Sequence, residues 1–564
     1  MLSAKIKEFL SESFPGLDVQ VSQPDNYLHG HYATNLAFAL GAKEKISPME
    51  AAKKIKETAV EVAPWGLLEK VEVAPPGFVN FFVSVSAIQN ELSIISRNKN
   101  WGAPQPDVLK SRKGKTAIIE YSSPNIAKPM HIGHLRSTII GDALANIYLF
   151  SGYKVIRWNY IGDWGTQFGK LIAAYKMWGD KKAVLKDPIK ELVKLYVRFH
   201  QELEKNPELE EKGREEFKKL EDGEKVNKKL WAWFRKESLK EFEKIYRILG
   251  IKFNVSKGES YYEGKLGNLV EELLKRGIAR PSMGGVIVET GQKVPALIQK
   301  SDGASLYLTR ELANLQYRAK KYKPARILYV VGSEQSFHFE QLFIIGKILG
   351  VNGTRLFHIG HGLVLGEDNK KLSTREGKTV ELNDVLMESI SRAGETLNTR
   401  QMGLKPKEKV KIAQAVGVGA IKYNDLSMGR ESDIKFDWDK MLDFQGNSGP
   451  YIQYTYARLK SILRKAPARK FDSKALSNEA DLELVLILDS YPMAVEEAFT
   501  ANSPQKIASY IYELSKAVNG FYQSNPVLQS ERGVREARLA LISACASTLK
   551  RGMELLGITP LERM

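Results

Sequence analysis

Two identical tetrapeptides, His-Ile-Gly-His, are the residues of this sequence whose types and spacing most directly suggest chemistry. The first begins at His131 and the second at His358. Imidazole nitrogens can contact phosphate oxygens, and a glycine between two histidines lets a base or a ribose approach the backbone. The sequence around each copy therefore has to show whether its two histidines can act together.

The first copy stands where α/β proteins bind phosphates. The apolar segment "TAIIEY" predicts a strand, the loop "SSPNIAKPM" follows, and apolar residues at helical spacing predict a helix that begins at His131. Free N–H groups and the helix dipole favour anions there. His131 and His134 share one face of the first turn, Gly133 leaves room for a nucleotide, and Asn125 and Lys128 add donors from the loop. This arrangement suits transfer from a polyphosphate, where catalysis is mostly positioning and neutralisation of charge.

The second copy lies in "RLFHIGHGLVLG", whose composition predicts a strand. Residues three apart on a strand point to opposite faces. We therefore expect that His358 and His361 do not converge on one phosphate, and that the second copy is coincidental.

A basic loop, "NKKLSTREGKTVEL", follows the second copy closely. Lys370, Lys371, Arg375 and Lys378 crowd a short stretch of Ser, Thr and Gly. Basic loops are usually solvated surface, but one that closes on a polyphosphate can stabilise its leaving group.

The elements that position these residues suggest a multidomain α/β protein. Residues 1–100 are predicted to form a small α/β unit. In residues 110–400 predicted strands alternate with predicted helices, which indicates a parallel sheet covered by helices on both faces. Within that part, residues of about 180–260 are predicted to be helical and are densely charged, and we interpret them as an insertion into the α/β domain. Residues 405–564 are predicted to be an all-α bundle without a strand.

Composition limits the class of protein. The chain has 564 residues, of which 43% are hydrophobic and 27% charged, as in folded proteins of several domains. No apolar run reaches the ~18 residues of a membrane span, and the N-terminus resembles neither a secretory signal nor a transit peptide. Cys545 is the only cysteine, which excludes internal disulfides and cysteine-based zinc sites and suits a reducing cytoplasm. The net charge of +18 makes nucleic acid the leading partner.

Longer motifs narrow the interpretation to one family. The tetrapeptide at the start of an α/β domain, with a Lys-x-Ser loop at its end, resembles class I aminoacyl-tRNA synthetases. "SSPNIAKPMHIGHLRSTIIGDAL", "NYIGDWGTQFGKL", "GESYY", "SDGASLYLTRELA", "FDWDKMLDFQGNSGPYIQY" and "LLGITPLERM" resemble the arginyl-tRNA synthetase family in order, and "GHYATNLAFAL" and "PGFVNFF" resemble its additional N-terminal domain. These motifs cover nearly the whole chain.

The resemblance implies a Rossmann-like catalytic domain, a helical anticodon-binding domain and a two-step reaction. Arginine would be activated with ATP and Mg²⁺ to arginyl-adenylate, and the arginyl group would pass to the terminal adenosine of tRNA(Arg). Members generally need bound tRNA even for the first step. No metal ion is expected to be fixed by the protein. A cytoplasmic monomer without a membrane segment is expected.

When the motifs are matched residue by residue, the resemblance implies that His131, Gly133 and His134 bind ATP. Lys371 and Lys128 would clamp its phosphates, because Thr374 stands where the usual loop has a second lysine. Ser373 and Arg375 complete the loop, and Asn125 contributes from the segment before the first tetrapeptide.

For arginine, the resemblance assigns Glu120, Tyr307, Glu311 and Gln335, with Asn125 near the α-amino group. A carboxylate can pair with the planar guanidinium through two parallel hydrogen bonds. Glu311 departs from the family, which usually has Asp in "YLTRD", so the carboxylate is displaced by about 1.5 Å, one bond length.

For tRNA, the resemblance assigns Phe78 and Asn80 to the D-loop, one stacking and one hydrogen-bonding. Tyr451, Tyr454 and Arg458 share a predicted helix face and could contact anticodon nucleotides. Tyr510, Tyr512 and Met564 lie in segments that the family also uses there.

Three other classes of protein fit these residues less well. A synthetase for cysteine would need zinc-binding cysteines, and one for glutamate would need a basic pocket where this chain has Glu120 and Glu311. A non-catalytic tRNA-binding relative would be expected to lack the tetrapeptide or the basic loop. A small nucleotidylyltransferase would leave the helical C-terminal third without a purpose.

Overall fold

The computed structural model of the protein describes residues 1–24, 26–366, 380–399 and 405–564. None of the helices in these ranges combines the length and the apolar character needed to cross a membrane.

The N-terminal part packs four helices on a three-stranded antiparallel sheet of order β1-β3-β2. Its elements are α1 (Leu2–Ser13), β1 (Tyr32–Thr34), α2 (Leu36–Glu44), α3 (Pro48–Val62), β2 (Leu68–Ala74), β3 (Phe78–Val83) and α4 (Val85–Arg97). Ser47 caps α3 and forms a capping box with Glu50, as the pattern "SPME" predicts. The predicted pair of strands around the Pro-Gly turn is also present.

The central part contains a five-stranded sheet of order β11-β10-β4-β5-β6, in which all neighbouring strands are parallel. The elements up to the last of the insertion helices are α5 (Pro106–Arg112), β4 (Thr116–Glu120), α6 (Ile132–Phe150), β5 (Lys154–Asn159), α7 (Thr166–Trp178), α8 (Lys181–Lys186), α9 (Pro188–Lys205), α10 (Glu208–Glu221) and α11 (Lys225–Leu249). The elements after them are β6 (Val255–Ser256), α12 (Glu263–Lys275), β7 (Ala279–Ser282), β8 (Gly285–Val288), β9 (Ala296–Gln299), α13 (Tyr307–Tyr322), β10 (Arg326–Gly332), α14 (Ser336–Ile348), β11 (Arg355–His361), β12 (Val364–Leu365) and α15 (Leu382–Thr399).

The predicted parallel sheet is confirmed. Ile118, Ile119 and Leu328 are fully buried, because a strand in such a sheet is covered on both faces. Helices α8 to α11 follow β5 and precede β6, where the charged helical insertion was predicted. The antiparallel sheet β7-β8-β9 was not predicted. Its strands have only four residues each, too few to show a clear alternation.

The C-terminal part is helical: α16 (Pro406–Leu426), β13 (Ile434–Lys435), α17 (Trp438–Met441), α18 (Gly449–Lys465), α19 (Glu479–Asp489), α20 (Tyr491–Thr500), α21 (Gln505–Ser524) and α22 (Arg532–Leu555). The prediction of no strand in this part was wrong by one element, since the two-residue β13 pairs with β12 of the central part.

Buried charges join the central and C-terminal parts. Arg136 on α6 forms an ion pair of 3.2 Å with Asp425 on α16, and each side chain is 1% exposed. Lys422, on the same helix as Asp425, is buried and donates hydrogen bonds to the carbonyl oxygens of Leu249 and Gly557. The helix that begins at the first tetrapeptide is therefore fixed to the helical C-terminal part.

Candidate functional site

A cavity of about 490 Å³ lies at the carboxyl edge of the central sheet, where β4 and β10 end. These strands are neighbours, but the chain leaves β4 toward β5 on one side and β10 toward β11 on the other, which opens a crevice between their loops. The cavity is lined by Glu120, Ser122, Ser123, Asn125, Gly133, His134, Ser137, Tyr160, Gly162, Glu259, Tyr307, Val330, Val331, Gly332, Gln335 and His361. It thus brings the first tetrapeptide next to most of the residues predicted to bind arginine.

A larger cavity, of about 660 Å³, lies between α4 and α22. None of the residues that line it was predicted to do chemistry, and none belongs to the first cavity. We therefore place the candidate active site at the edge of the sheet.

The two histidines of the first tetrapeptide hold each other in place at the start of α6. His131 is the N-cap residue. His134 Nδ1 accepts a hydrogen bond of 3.1 Å from the His131 backbone N–H, and His131 Nδ1 accepts one of 3.1 Å from the Gly133 N–H. Because a backbone N–H can only donate, both Nδ1 atoms are acceptors, and each neutral ring carries its proton on Nε2. The start of α6 therefore offers two imidazole N–H donors whose ring centroids are 3.9 Å apart.

The His134 ring carries no positive charge at neutral pH. Burial, followed by the neighbouring His131, lowers the pKa of His134 to about 3. A neutral imidazole can donate a hydrogen bond to a phosphate oxygen, but it does not neutralise the charge of that phosphate. Neutralisation must come from other residues.

The loop before α6 has an unusual backbone. Ser122, Ser123 and Ala127 adopt left-handed φ angles of 73°, 48° and 58°. These turns bring Asn125 against Gly162, where a Cβ atom would lie 1.9 Å from Asn125 Oδ1. Any other residue at position 162 would displace the Asn125 side chain, so Gly162 allows Asn125 to lie at the cavity.

Lys128 lies outside the cavity. Its side chain is exposed, and Nζ is 5.8 Å from the ring centroid of Tyr196 on α9. The structure therefore does not bring this predicted phosphate-binding lysine next to His134.

The acidic part of the cavity begins at Glu120, the last residue of β4. Glu120 lines the cavity and is 2% exposed. Its Oε2 accepts a hydrogen bond from Nη2 of Arg318 on α13, which is fully buried. Asn125, Tyr307 and Gln335 line the same cavity, so four of the five predicted arginine-binding residues are close together.

Glu311 is placed behind the cavity wall and does not line it. The residue is fully buried, and burial followed by Glu120 raises its pKa to about 8. Its Oε1 has no hydrogen-bond partner among the described residues. Glu311, predicted to bind arginine, lies one helical turn after Tyr307 on α13 and is not among the residues that line the cavity.

Sequence reasoning missed several lining residues. Glu259 lies in the quoted motif "GESYY" but was not singled out; burial raises its pKa to about 7. Tyr160 and Ser137 also line the cavity. Arg318 was missed as well, although a buried arginine is a strong signal once its burial is known. Glu259, Tyr160 and Ser137 all lie in quoted motifs, which were their signal in the sequence, whereas Arg318 lies outside those motifs.

The second tetrapeptide lies on β11, as predicted, but it is not wholly coincidental. His358 stacks on Phe339 of α14 at a centroid distance of 4.8 Å. His361 lines the cavity together with His134. The prediction that the two histidines do not converge is confirmed, whereas the prediction that neither belongs to the site is wrong for His361. The strand order that places β11 beside β10 cannot be seen in the sequence.

The basic loop, with Lys371, Ser373 and Arg375, lies outside the described residues. The chain that follows it is paired with the first tetrapeptide. Glu381 forms an antiparallel bridge with His131, and the Ile132 N–H donates to the Val380 carbonyl at 3.1 Å.

The residues predicted to bind tRNA lie in two regions. In the N-terminal part, Phe78 is 41% exposed and packs edge-on against Phe38 at 5.7 Å, whereas Asn80 is only 7% exposed. Phe78 is thus accessible to a nucleotide base, and Asn80 offers little surface.

The second region is a hydrogen-bonded group on α18 and α21. Asn519 donates to the Tyr451 hydroxyl at 3.1 Å and accepts from Arg458 at 3.1 Å. Arg458 also donates to the Tyr454 hydroxyl, which places the three predicted residues on one helix face. Met564 packs against the small core cluster that contains Phe444.

The two other tyrosines predicted near that region differ in their contacts. The Tyr510 hydroxyl donates to the Ile487 carbonyl, while Tyr512 packs 5.9 Å from Tyr451.

Comparison with known proteins covers the whole chain. Residues 1–83 match the arginyl tRNA synthetase N-terminal domain, residues 103–438 match the class I (R) tRNA synthetase catalytic domain, and residues 452–564 match the DALR anticodon binding domain. The chain is 41% identical to the arginine–tRNA ligase of Fusobacterium nucleatum over 99% of this chain and 97% of that one. It is 43% identical to the arginine–tRNA ligase of Halothermothrix orenii over 86% of each chain.

Solved structures show the same fold. An arginyl-tRNA synthetase from Plasmodium falciparum superposes with a TM-score of 0.85 at 28% identity, covering 100% of this chain and 99% of that one. The Thermus thermophilus arginyl-tRNA synthetase superposes with a TM-score of 0.84 at 24% identity, with the same coverage, and supports the fold alone. Because its family matches and its relatives extend along nearly the full length, this chain belongs to the arginyl-tRNA synthetase family.

Proposed function

We propose that this chain is an arginine–tRNA ligase that makes arginyl-adenylate from arginine and ATP and transfers the arginyl group to the 3′-terminal adenosine of tRNA(Arg). The observation that carries this proposal is one cavity lined both by the donor-rich start of α6 and by the buried carboxylate of Glu120. A substrate held between them would present its α-carboxylate to a nucleotide and its side chain to an acid.

In the first step, an oxygen of the arginine carboxylate attacks the α-phosphorus of ATP, and the bond from that phosphorus to the bridging oxygen breaks. Pyrophosphate leaves with the electron pair. The Nε2–H groups of His131 and His134 donate to phosphate oxygens, and Gly133 lets the nucleotide approach the backbone. Asn125 holds the α-amino end of arginine beside them.

The charge on the leaving pyrophosphate needs cations, because His134 is neutral. We assign this role to Lys371 and Arg375, with Ser373 as a hydrogen-bond donor, and to Lys128. Lys128 would have to leave its position over Tyr196 to reach the phosphates.

Mg²⁺ would come with the phosphates of ATP and supply further neutralisation of their charge. Among the described residues, no group of three His, Cys, Asp or Glu side chains could hold a metal ion. We therefore assign no step to a metal held by this chain.

At the acidic side, Glu120 pairs with the guanidinium of arginine, while Tyr307 and Gln335 fix its orientation. Glu311 acts from behind Tyr307 as a second negative charge once it is ionised. Excess positive charge of the chain, +18 in total, would attract tRNA at long range. Phe78 would contact the D-loop with Asn80, and Tyr451, Tyr454, Arg458 and Met564 the anticodon region. The enzyme would act as a monomer in the cytoplasm.

The proposal is tested by ATP–pyrophosphate exchange with each amino acid, with and without tRNA. We expect exchange with arginine that depends on tRNA. The Glu120→Gln variant should lose the response to arginine, and Glu340→Gln, an acid-to-amide change on the exposed surface of α14, is the matched control. Exchange supported by a different amino acid alone would exclude the assignment.

A further inference from the structure

The acidic side of the cavity contains a guanidinium that belongs to the protein. Arg318 is fully buried and donates from Nη2 to Glu120 Oε2. Its Cζ lies 4.4 Å from the ring centroid of Trp158 and 5.5 Å from that of Tyr329. The side chain is thus held by a carboxylate on one side and by aromatic rings on its faces, which is how proteins bind a planar cation.

This pairing uses one of the two oxygens of Glu120. Arg318 does not line the cavity, whereas Glu120 does. Arg318 makes no hydrogen bond to the second oxygen, Oε1. A carboxylate oxygen can accept two hydrogen bonds, so Arg318 fixes the orientation of Glu120 and leaves Oε1 and one lone pair of Oε2 for a substrate guanidinium.

The local charges respond to a substrate cation through Glu311. Burial raises the pKa of Glu311 to about 8, so at neutral pH Arg318 balances Glu120 alone. A substrate guanidinium at the cavity favours ionisation of Glu311, which supplies the negative charge that the added cation requires. Without Arg318, two carboxylates would share a buried site without a counter-ion, which is strongly unfavourable.

A purely structural arginine would be expected to have all its donors satisfied. Arg318 Nε and Nη1 instead have no hydrogen-bond partner among the described residues. Asn314, one turn before it on α13, accepts a hydrogen bond from Tyr262 and is 3.5 Å from Glu311 Oε2. The polar row of Glu311, Asn314 and Arg318 therefore runs along one side of α13 directly behind the cavity.

We propose that Arg318 is a positioning residue for substrate selection: its guanidinium binds one oxygen of Glu120 and thereby orients the carboxylate toward the guanidinium of arginine. This inference rests on the proposed function. It assigns to Arg318 a role in the affinity for arginine and none in the binding of ATP.

The test compares Arg318→Ala and Arg318→Lys with the matched control Lys320→Ala, which changes an exposed residue of the same helix. The measurements are the KM for arginine, the KM for ATP and kcat in tRNA-dependent ATP–pyrophosphate exchange, together with the melting temperature. Arg318→Ala should raise the KM for arginine roughly 100-fold, because it leaves Glu120 without its buried partner. The KM for ATP should change less than about 3-fold.

Two further measurements separate positioning from folding. Millimolar free guanidinium should restore part of the affinity of Arg318→Ala for arginine by filling the vacated position, and should not improve the wild type. Arg318→Lys, which keeps the charge but loses the planar fork, should fall between wild type and Arg318→Ala.

The outcomes are distinguishable. If the wild-type chain shows no exchange with arginine, the proposed function fails. If the wild type responds to arginine but Arg318→Ala lowers the melting temperature with an unchanged KM for arginine, Arg318 is structural and the inference is overturned. It is also overturned if free guanidinium gives no rescue in a folded Arg318→Ala variant.

Discussion

The two His-Ile-Gly-His segments share four residue types and differ in the backbone that carries them. At 131–134 the chain turns into a helix, and backbone N–H groups fix both Nδ1 atoms as acceptors. At 358–361 the chain is extended, and only His361 lines the cavity. Burial lowers the pKa of His134, His358 and His361 alike, so protonation does not distinguish the two copies. What distinguishes them is the direction in which the backbone points each ring.

The largest expected difference between the copies is in catalysis. His134→Ala should lower kcat/KM for ATP–pyrophosphate exchange by ~10²–10³-fold, because it removes a fixed donor to the phosphates. His358→Ala should lower it less than about 3-fold, because His358 lies against Phe339. Melting temperatures serve as the control for folding. Equal losses in the two variants would remove the distinction between helix and strand.

The glycines of the two copies provide a second comparison. A Cβ atom at Gly133 would lie 2.9 Å from the His131 ring, whereas one at Gly360 would lie 2.8 Å from Ser333 Oγ. Gly133→Ala should displace the His131 ring and lower kcat by roughly 10-fold with little change in stability. Gly360→Ala should instead cost about 1 kcal/mol of stability, with a smaller change in kcat. Exchange kinetics and denaturant unfolding measure the two effects, and a reversed pattern would contradict the placement of Gly133.

His361 sharpens the comparison within the second copy. Because it lines the cavity, His361→Ala should lower kcat/KM by about 5-fold, between the values expected for His358→Ala and His134→Ala. The same exchange assay with varied ATP measures it. If His358→Ala and His361→Ala behave alike, the strand does not separate the two rings functionally.

A comparison that does not depend on catalysis is stability at acid pH. The pKa of His134 is lowered from 6.5 to about 3, so the unfolded chain binds this proton more readily than the folded chain. The free energy of unfolding should therefore fall as pH decreases below 6.5, by about 1.4 kcal/mol per pH unit from this residue. Urea unfolding at pH 4.5 to 7 should show a shallower decline for His134→Gln than for wild type. Parallel curves would mean that His134 is protonated in the folded state.

The sequence was sufficient for features that depend on neighbours along the chain. The strand, loop and helix around His131 follow from local periodicity, and so does the strand around His358. The position of His361 at the cavity depends on β11 lying beside β10, which local pattern does not encode. The pairing of Glu120 with Arg318 joins residues 198 positions apart. Lys128 shows the same limit, because its contact with Tyr196 depends on how the insertion helices pack.

The buried ion pair between Arg136 and Asp425 has a consequence for the modularity of this chain. An isolated catalytic fragment that ends before α16 would leave Arg136 without its carboxylate inside the helix that begins at the first tetrapeptide. The same truncation would also remove Ser432, just before β13, whose carbonyl accepts a hydrogen bond from Arg136. Exchange of the helical C-terminal part for that of another enzyme would succeed only if the new helix carried an acid at the same place. Recombination at this boundary is therefore constrained by the Arg136–Asp425 pair together with the buried Lys422, and the two parts are expected to be inherited together.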